Sequence, residues 1–219
     1  MKGINTQIFP GASLPREDIC KEEVFATAAI LAGGKSSRMG FDKQLLTNNN
    51  RRILEIVSDA LKREFSDILI VTAKPELYDG MKVRVCSDEF QDMGPLAGIH
   101  AALANARSKY VYLIACDMPV ICLPYIRHMK QRITETEAKV CICRRNDRFE
   151  PFNGFYSREL LADVTKRLQE GSGSLFRFIS GAEPLVMPEE TVKKYDREFR
   201  MFTNINTRSE YDAYLSGMI

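Results

Sequence analysis

The chain has no tryptophan and only two histidines, His100 and His128, among its 219 residues. Both histidines fall in predicted helices with no sequence partners. No Ser-His-Asp or Cys-His arrangement is suggested, and each reads as a surface or core side chain. No apolar run approaches the roughly 20 residues that span a bilayer. The polar stretch from Met1 to Glu23 lacks the apolar core of a signal peptide, so the chain is expected in the cytoplasm, away from membranes. None of the six cysteines (Cys20, Cys86, Cys116, Cys122, Cys141, Cys143) forms a C-x-x-C pair or sits near a histidine. That spacing argues against zinc and for reduced thiols packed in strands. Excess charge is also scarce: 31 Lys+Arg face 29 Asp+Glu, a net +2. Broad nucleic-acid binding needs a clear basic excess and is not expected. A local basic site for one anionic ligand remains open.

The hydrophobic fraction, 45%, is ordinary for a globular protein. A chain of this length buries a sizeable core without disulfide or metal staples. Residues 1–23 carry Pro10, Gly11, Pro15 and a charged run without periodicity, and read as an N-terminal extension, disordered or a loose arm. Residues 24–219 read as a single domain. Apolar runs at Val24–Leu31, Asp67–Thr72 and Tyr110–Ala115 suit buried strands, with a weaker strand at Val83–Val85. Helical spacing marks Arg52–Glu64, and Pro95–Arg107 opens with proline at an early helical position. Further helices are expected at Leu123–Thr136, Ser157–Glu170, Ser174–Ile179 and Ser209–Ser216. Further strands are expected at Lys139–Cys143, Phe149–Phe155 and Pro184–Met187.

Strands alternating with helices predict an α/β, three-layer Rossmann-like fold, its mostly parallel, mixed sheet covered by helices on both faces. Ligands in such sheets bind beyond the carboxyl ends of the strands. The informative loops therefore follow Leu31, Thr72, Val85 and Ala115.

The first loop reads Leu31-Ala32-Gly33-Gly34-Lys35-Ser36-Ser37-Arg38-Met39-Gly40-Phe41-Asp42-Lys43. Glycines let backbone N–H groups close around an anion. Lys35, Arg38 and Lys43 add three cations against Asp42 alone, an arrangement suited to a triphosphate. Two other phosphate loops fail the test. Walker A needs glycine where Ala29 stands, and the dinucleotide fingerprint needs Gly-x-Gly where Gly33 and Gly34 are adjacent.

Leu-Ala-Gly-Gly-x-Ser-x-Arg-Met-Gly-x-Asp-Lys resembles the signature of nucleotidyltransferases that activate molybdopterin and sugar phosphates. Gly94-Pro95-Leu96-Ala97-Gly98, Cys116-Asp117-Met118-Pro119 and Asn204-Ile205-Asn206-Thr207 narrow the resemblance to the molybdenum cofactor guanylyltransferases, over about residues 24–216. The resemblance implies transfer of GMP from GTP to molybdopterin, with release of pyrophosphate and Mg²⁺ as cofactor. It implies a monomer or weak homo-oligomer, and contact with other cofactor-biosynthesis proteins. Rival readings are a molybdopterin cytidylyltransferase, a sugar-phosphate nucleotidylyltransferase, and a GTP-binding regulatory module without chemistry. Leu-Ala-Gly-Gly is typical of the guanylyl branch and Leu-Ala-Ala-Gly of the cytidylyl branch.

By the same resemblance, Leu31, Ala32, Gly33 and Gly34 lie against the nucleotide, and Lys43 and Arg38 meet its phosphates. Asp42 either orients Lys43 or caps the next segment. Asp117 has two readings: a Mg²⁺ ligand, or an N-cap for the following helix. The turn imposed by Pro119 after an apolar strand favours the metal. Asp88 matches a nucleotide-contacting aspartate of the family, or is a solvated loop acid. Thr72 stands where the family has a polar base-contacting residue, often asparagine. Gly94 and Gly98 line the active cleft, or simply admit the chain to a helix. Asn204 and Asn206 alternate on one face of an extended strand and suit the edge of a pterin ring; their alternative is an Asx-turn into the last helix.

Overall fold

The computed structural model describes residues 23–33, 42–90 and 92–217. In chain order the elements are β1 (Thr27–Leu31), β2 (Thr47–Asn48), β3 (Arg51–Arg52), α1 (Ile53–Leu61), β4 (Asp67–Val71), β5 (Arg84–Cys86), α2 (Pro95–Asn105) and β6 (Tyr110–Ala115). Then follow α3 (Leu123–Thr136), β7 (Val140–Arg145), β8 (Arg148–Ser157), α4 (Leu161–Gln169), α5 (Leu175–Gly181), β9 (Leu185–Met187), α6 (Glu189–Lys193) and α7 (Arg208–Leu215). Among the described residues four 3₁₀ turns join them, including Lys43–Leu45, Pro75–Tyr78 and Arg200–Phe202.

Seven strands form one sheet in the order β5-β4-β1-β6-β8-β7-β9. β5, β4, β1 and β6 run parallel, and β8 runs antiparallel to both neighbours. The sheet is mixed because Asn146 and Asp147, both at positive φ, turn the chain directly from β7 into β8. A parallel connection would need a crossover of a dozen or more residues.

β1 and β4 are buried at every position, as central parallel strands covered on both faces must be. Alternate residues feed two cores. Ala28 and Ile30 join Leu54, Val57, Tyr112 and Ile126 under α1 and α3. Ala29 and Leu31 join Leu96, Ile99, Val111 and Val164 under α2 and α4.

Many expected boundaries shift by a residue or more, and three of the shifts have a clear local form. The first strand begins at Thr27, and Val24 is half exposed. The helix expected over 157–170 starts as a 3₁₀ turn, because the Ser157 hydroxyl accepts the Glu159 N–H. The strand expected at Asn204–Asn206 is extended chain outside the sheet. Its Ile205 N–H makes one bond, to the Asp117 carbonyl at 2.8 Å, and Asn206 N–H turns at once to Glu210 (2.7 Å) at the entry to α7.

Candidate active site

Register brings the predicted loops to one edge. Leu31 pairs with Val71 and Ala115, and Val71 pairs with Cys86. The chain therefore leaves β1, β4, β5 and β6 toward Gly33, Thr72, Asp88 and Asp117 at the same level.

Gly34 and Arg38 lie outside the described residues, as do Lys35 to Phe41. Asp42 Oδ1 accepts the Gln44 N–H (3.1 Å) and caps the 3₁₀ turn Lys43–Leu45. Burial pushes the Asp42 carboxyl up, but hydrogen bonds from Lys74 (2.6 Å) and Gln44 outweigh it and hold the carboxyl below its ordinary value. So Asp42 caps, and its free oxygen goes to Lys74 rather than to Lys43.

Lys43 crosses the cleft. Its Nζ lies 2.8 Å from Asp117 Oδ2 and 2.6 Å from Asn206 Oδ1, residues 74 and 163 positions away in sequence. The Lys43 and Asp117 side chains are 20% and 15% exposed, sheltered enough for the pair to be a fixed feature yet open to a ligand. Asp117 does not cap α3, whose N-cap is Cys122. Its Oδ1 is buried and has no hydrogen-bond partner among the described residues. A buried carboxylate oxygen without a donor is costly, and a bound cation would relieve that cost. The donor chemistry suits Mg²⁺, which binds one or two carboxylates plus substrate phosphates. Among the described residues no cluster of three or more His, Cys, Asp or Glu could hold a metal by itself.

Other candidates take defined places. Leu31 and Ala32 end β1 with their backbone committed: Leu31 O accepts Cys116 N–H, and Ala32 N–H donates to Val71 O. Gly33 is the first exposed residue beyond them. Gly94 sits at φ +71°, which suits glycine, and leads into α2 through Pro95. At Gly98 a Cβ would lie 3.4 Å from Leu31 Cδ1, an ordinary contact, where α2 packs on β1. Asp88 is half buried, its Oδ1 accepts the Phe90 N–H at 2.7 Å, and burial raises its pKa. Asn204 is exposed beside Ile205.

Thr72 is tied into the protein. It is 2% exposed, donates its hydroxyl to Gln44 Oε1 (3.0 Å) and accepts the Lys74 N–H (3.0 Å). Its hydroxyl is thus engaged within the protein. The cysteine expectation needs amending: Cys86, Cys141 and Cys143 are free thiols in strands, but Cys116 and Cys122 lie in the loop after β6. Burial pushes the Cys116 thiol up to about 12, so beside Asp117 it stays protonated. His100 is a core residue, with Nε2 3.1 Å from Thr165 Oγ1.

Sequence reasoning missed Gln44. Its buried amide accepts from Thr72 and from Tyr78 (2.6 Å) and donates to Asp42 (3.3 Å), tying the Lys43 turn to the end of β4. Its partners lie 28 and 34 residues away, and no local pattern marks it.

Comparison with known proteins agrees with this fold. The family model described as "MobA-like NTP transferase domain" matches residues 28–185. Molybdenum cofactor guanylyltransferase from Syntrophotalea carbinolica is 45% identical over 190 residues, covering 87% of this chain and 90% of that protein. The crystal structure of molybdopterin-guanine dinucleotide biosynthesis protein A from Archaeoglobus fulgidus superposes with a TM-score of 0.77 at 21% identity, over 88% of this chain and 98% of that one. Rv0371c from Mycobacterium tuberculosis, solved in complex with manganese, shares the fold with a TM-score of 0.52 at 19% identity, over 76% and 89% of the two chains.

Proposed function

The chain belongs to the MobA-like NTP transferase family, and from that premise we propose that it transfers GMP from GTP to molybdopterin and releases pyrophosphate. The observation that carries the reading is the meeting of Lys43, Asp117 and Asn206 at the carboxyl edge of the sheet. The relative from Syntrophotalea carbinolica supplies the choice of guanine and of the acceptor.

In this reading the acceptor phosphate attacks the α-phosphorus of GTP, and the bond to the β-phosphate oxygen breaks as pyrophosphate leaves. Such chemistry needs positioning and charge neutralisation rather than a covalent protein intermediate. Lys43 presents a mobile point charge to the phosphates, and Asn206 and Asp117 aim it. Gly33, Gly34 and Arg38 complete the anion cradle, with Leu31 and Ala32 forming the wall against the nucleoside. Asp88 reaches the nucleotide from the next loop. Gly94, Gly98, Asn204 and Asn206 border the acceptor. A divalent cation, Mg²⁺ in our proposal, would be held through Asp117 Oδ1, and when bound it neutralises phosphate charge. The manganese complex of a fold neighbour supports a divalent ion in this fold. No helix among the described residues is long and apolar enough to cross a membrane. We place the protein in the cytoplasm, as a single domain over residues 24–219 and a monomer or weak homo-oligomer.

The test is pyrophosphate release from GTP, CTP or UTP, each with molybdopterin or a sugar phosphate, in the presence of Mg²⁺. Release with GTP and molybdopterin alone is expected. Preference for CTP would move the protein to the cytidylyl branch, and GTP binding without release would make it a regulatory module.

A further inference from the structure

Asn153 stands in the middle of β8 at φ +60°, a left-handed conformation that no strand needs. It is 1% exposed. The pairing of β7 with β8 slips between Cys141 and Cys143, beside it. Next in sequence, Gly154 passes so close to β7 that a Cβ would meet Cys141 O and Ile142 Cγ2 at 2.8 Å. A buried non-glycine residue held in this conformation must be over-determined by its surroundings, and an observed outlier of this kind points to function.

The surroundings are two hydrogen bonds. Asn153 Nδ2 donates to the Met201 carbonyl at 3.0 Å, and Asn153 Oδ1 accepts from the Tyr112 hydroxyl. The orientation of the amide follows from chemistry, because a carbonyl only accepts and so must face the NH₂. Tyr112 lies on β6, five residues before Asp117. Met201 lies in the 3₁₀ turn Arg200–Phe202, three residues before Asn204. The same turn is held from its other side by Asp196, whose Oδ2 accepts the Met201 N–H at 2.8 Å. Downstream, Ile205 N–H donates to Asp117 O. The segment carrying Asn204 and Asn206 belongs to no sheet; these bonds, those of Asn206 to Lys43 and Glu210, and the burial of Met201, Phe202 and Ile205 hold its place.

We propose that Asn153 is a positioning residue for acceptor binding: through Met201 it sets the height of the Asn204–Asn206 segment over the cleft. The proposal rests on the reading that this segment meets the acceptor. The strained backbone at Asn153 swings the side chain out of the strand's alternation, and thereby lets one amide span β6 and the turn before Asn204.

Steady-state kinetics of three variants test it. N153G keeps the backbone conformation, which glycine adopts freely, and loses both hydrogen bonds. Its KM for molybdopterin is expected to rise about tenfold or more, because small misplacements of positioning groups are costly in rate and binding. Its dissociation constant for GTP should rise by much less than the KM for molybdopterin, because Asp117 still holds Lys43 when Asn206 shifts. Y112F keeps the bond to Met201 and loses only the hydroxyl, so it should lower the melting temperature while leaving the molybdopterin KM within about twofold. An unchanged molybdopterin KM in N153G overturns the proposal. So does an equal rise in both variants, which would reveal a purely structural network. N204A separates the premise from the proposal. If N204A raises the molybdopterin KM and N153G does not, positioning by Asn153 fails alone; if N204A leaves it unchanged, the acceptor role of the segment fails and the proposal falls with it.

Discussion

At the scale of the residue, the site depends on one cation held by two oxygens. Lys43 is a strongly hydrated, flexible ammonium, and without Asp117 and Asn206 it would sample many positions. Removing one pre-organised charge contact in a water-poor site typically costs about 3–4 kcal/mol. Lys43→Ala and Asp117→Ala are each expected to lower turnover by at least about a hundredfold while circular dichroism stays that of the parent. Near-normal turnover in either variant would remove that residue from the machinery. The two variants should also differ in metal dependence. Lys43→Ala leaves Asp117 Oδ1 in place, so titration with Mg²⁺ should still saturate near the parental concentration, whereas Asp117→Ala should need far more. Lys43 and Asp117 were legible because each sits in a short motif at the end of an apolar strand. Gln44 and Asn153 were not, because what makes them matter is contact with residues 28 to 48 positions away.

At the scale of the element, buried runs and helical spacing carried most of the order of strands and helices. The helix expected at Leu123–Thr136 has those bounds, since Pro124 opens it and Glu137 in the left-handed region closes it. Irregular pieces were not legible. The short β2–β3 hairpin and the 3₁₀ turns have too few residues for periodicity to register. The last segment alternates asparagines as a strand would, yet its N–H groups go to Asp117 and Glu210 instead of a ladder. β8 shows the energetics of such irregularity. At Gly154 a methyl group would strike a backbone oxygen, and the sheet would have to part to admit it. Gly154→Ala is expected to destabilise the protein by about 2 kcal/mol or more, within the range for overpacked cores. Urea denaturation reads this directly. An unchanged midpoint would mean that β7 and β8 are not packed as tightly as the structure has them.

At the scale of the molecule, the two ends of the sheet do different work. The carboxyl edge is left open for ligands, and the opposite end is closed by an ion pair. Arg84 on β5 donates through Nε and Nη2 to Asp67 at the start of β4 (2.7 and 2.6 Å), and Thr27 on β1 donates to the same carboxylate (2.7 Å). One buried acid thus ties the edge strand to the two strands that carry the anion loop and the Thr72 turn. Burial alone would raise the Asp67 pKa, but the hydrogen bonds from Arg84 and Thr27 reverse the sign and hold it below its ordinary value. A carboxylate with a lowered folded pKa contributes stability above its unfolded value, near 4, and that contribution is lost as pH falls through the folded value. Replacing Arg84 by alanine should cost about 2 kcal/mol or more at pH 7, since it strands a buried charge. Without the guanidinium, burial is opposed only by Thr27 and Arg107, so the Asp67 pKa rises from its parental position. The variant then loses less stability on acidification than the parent. The gap between the two urea midpoints is therefore expected to narrow as pH falls from about 7 through the unfolded value near 4 and on toward the parent's lower folded value. A gap that stays constant with pH would show that Arg84 stabilises the edge by packing its stem, with no contribution from its charge.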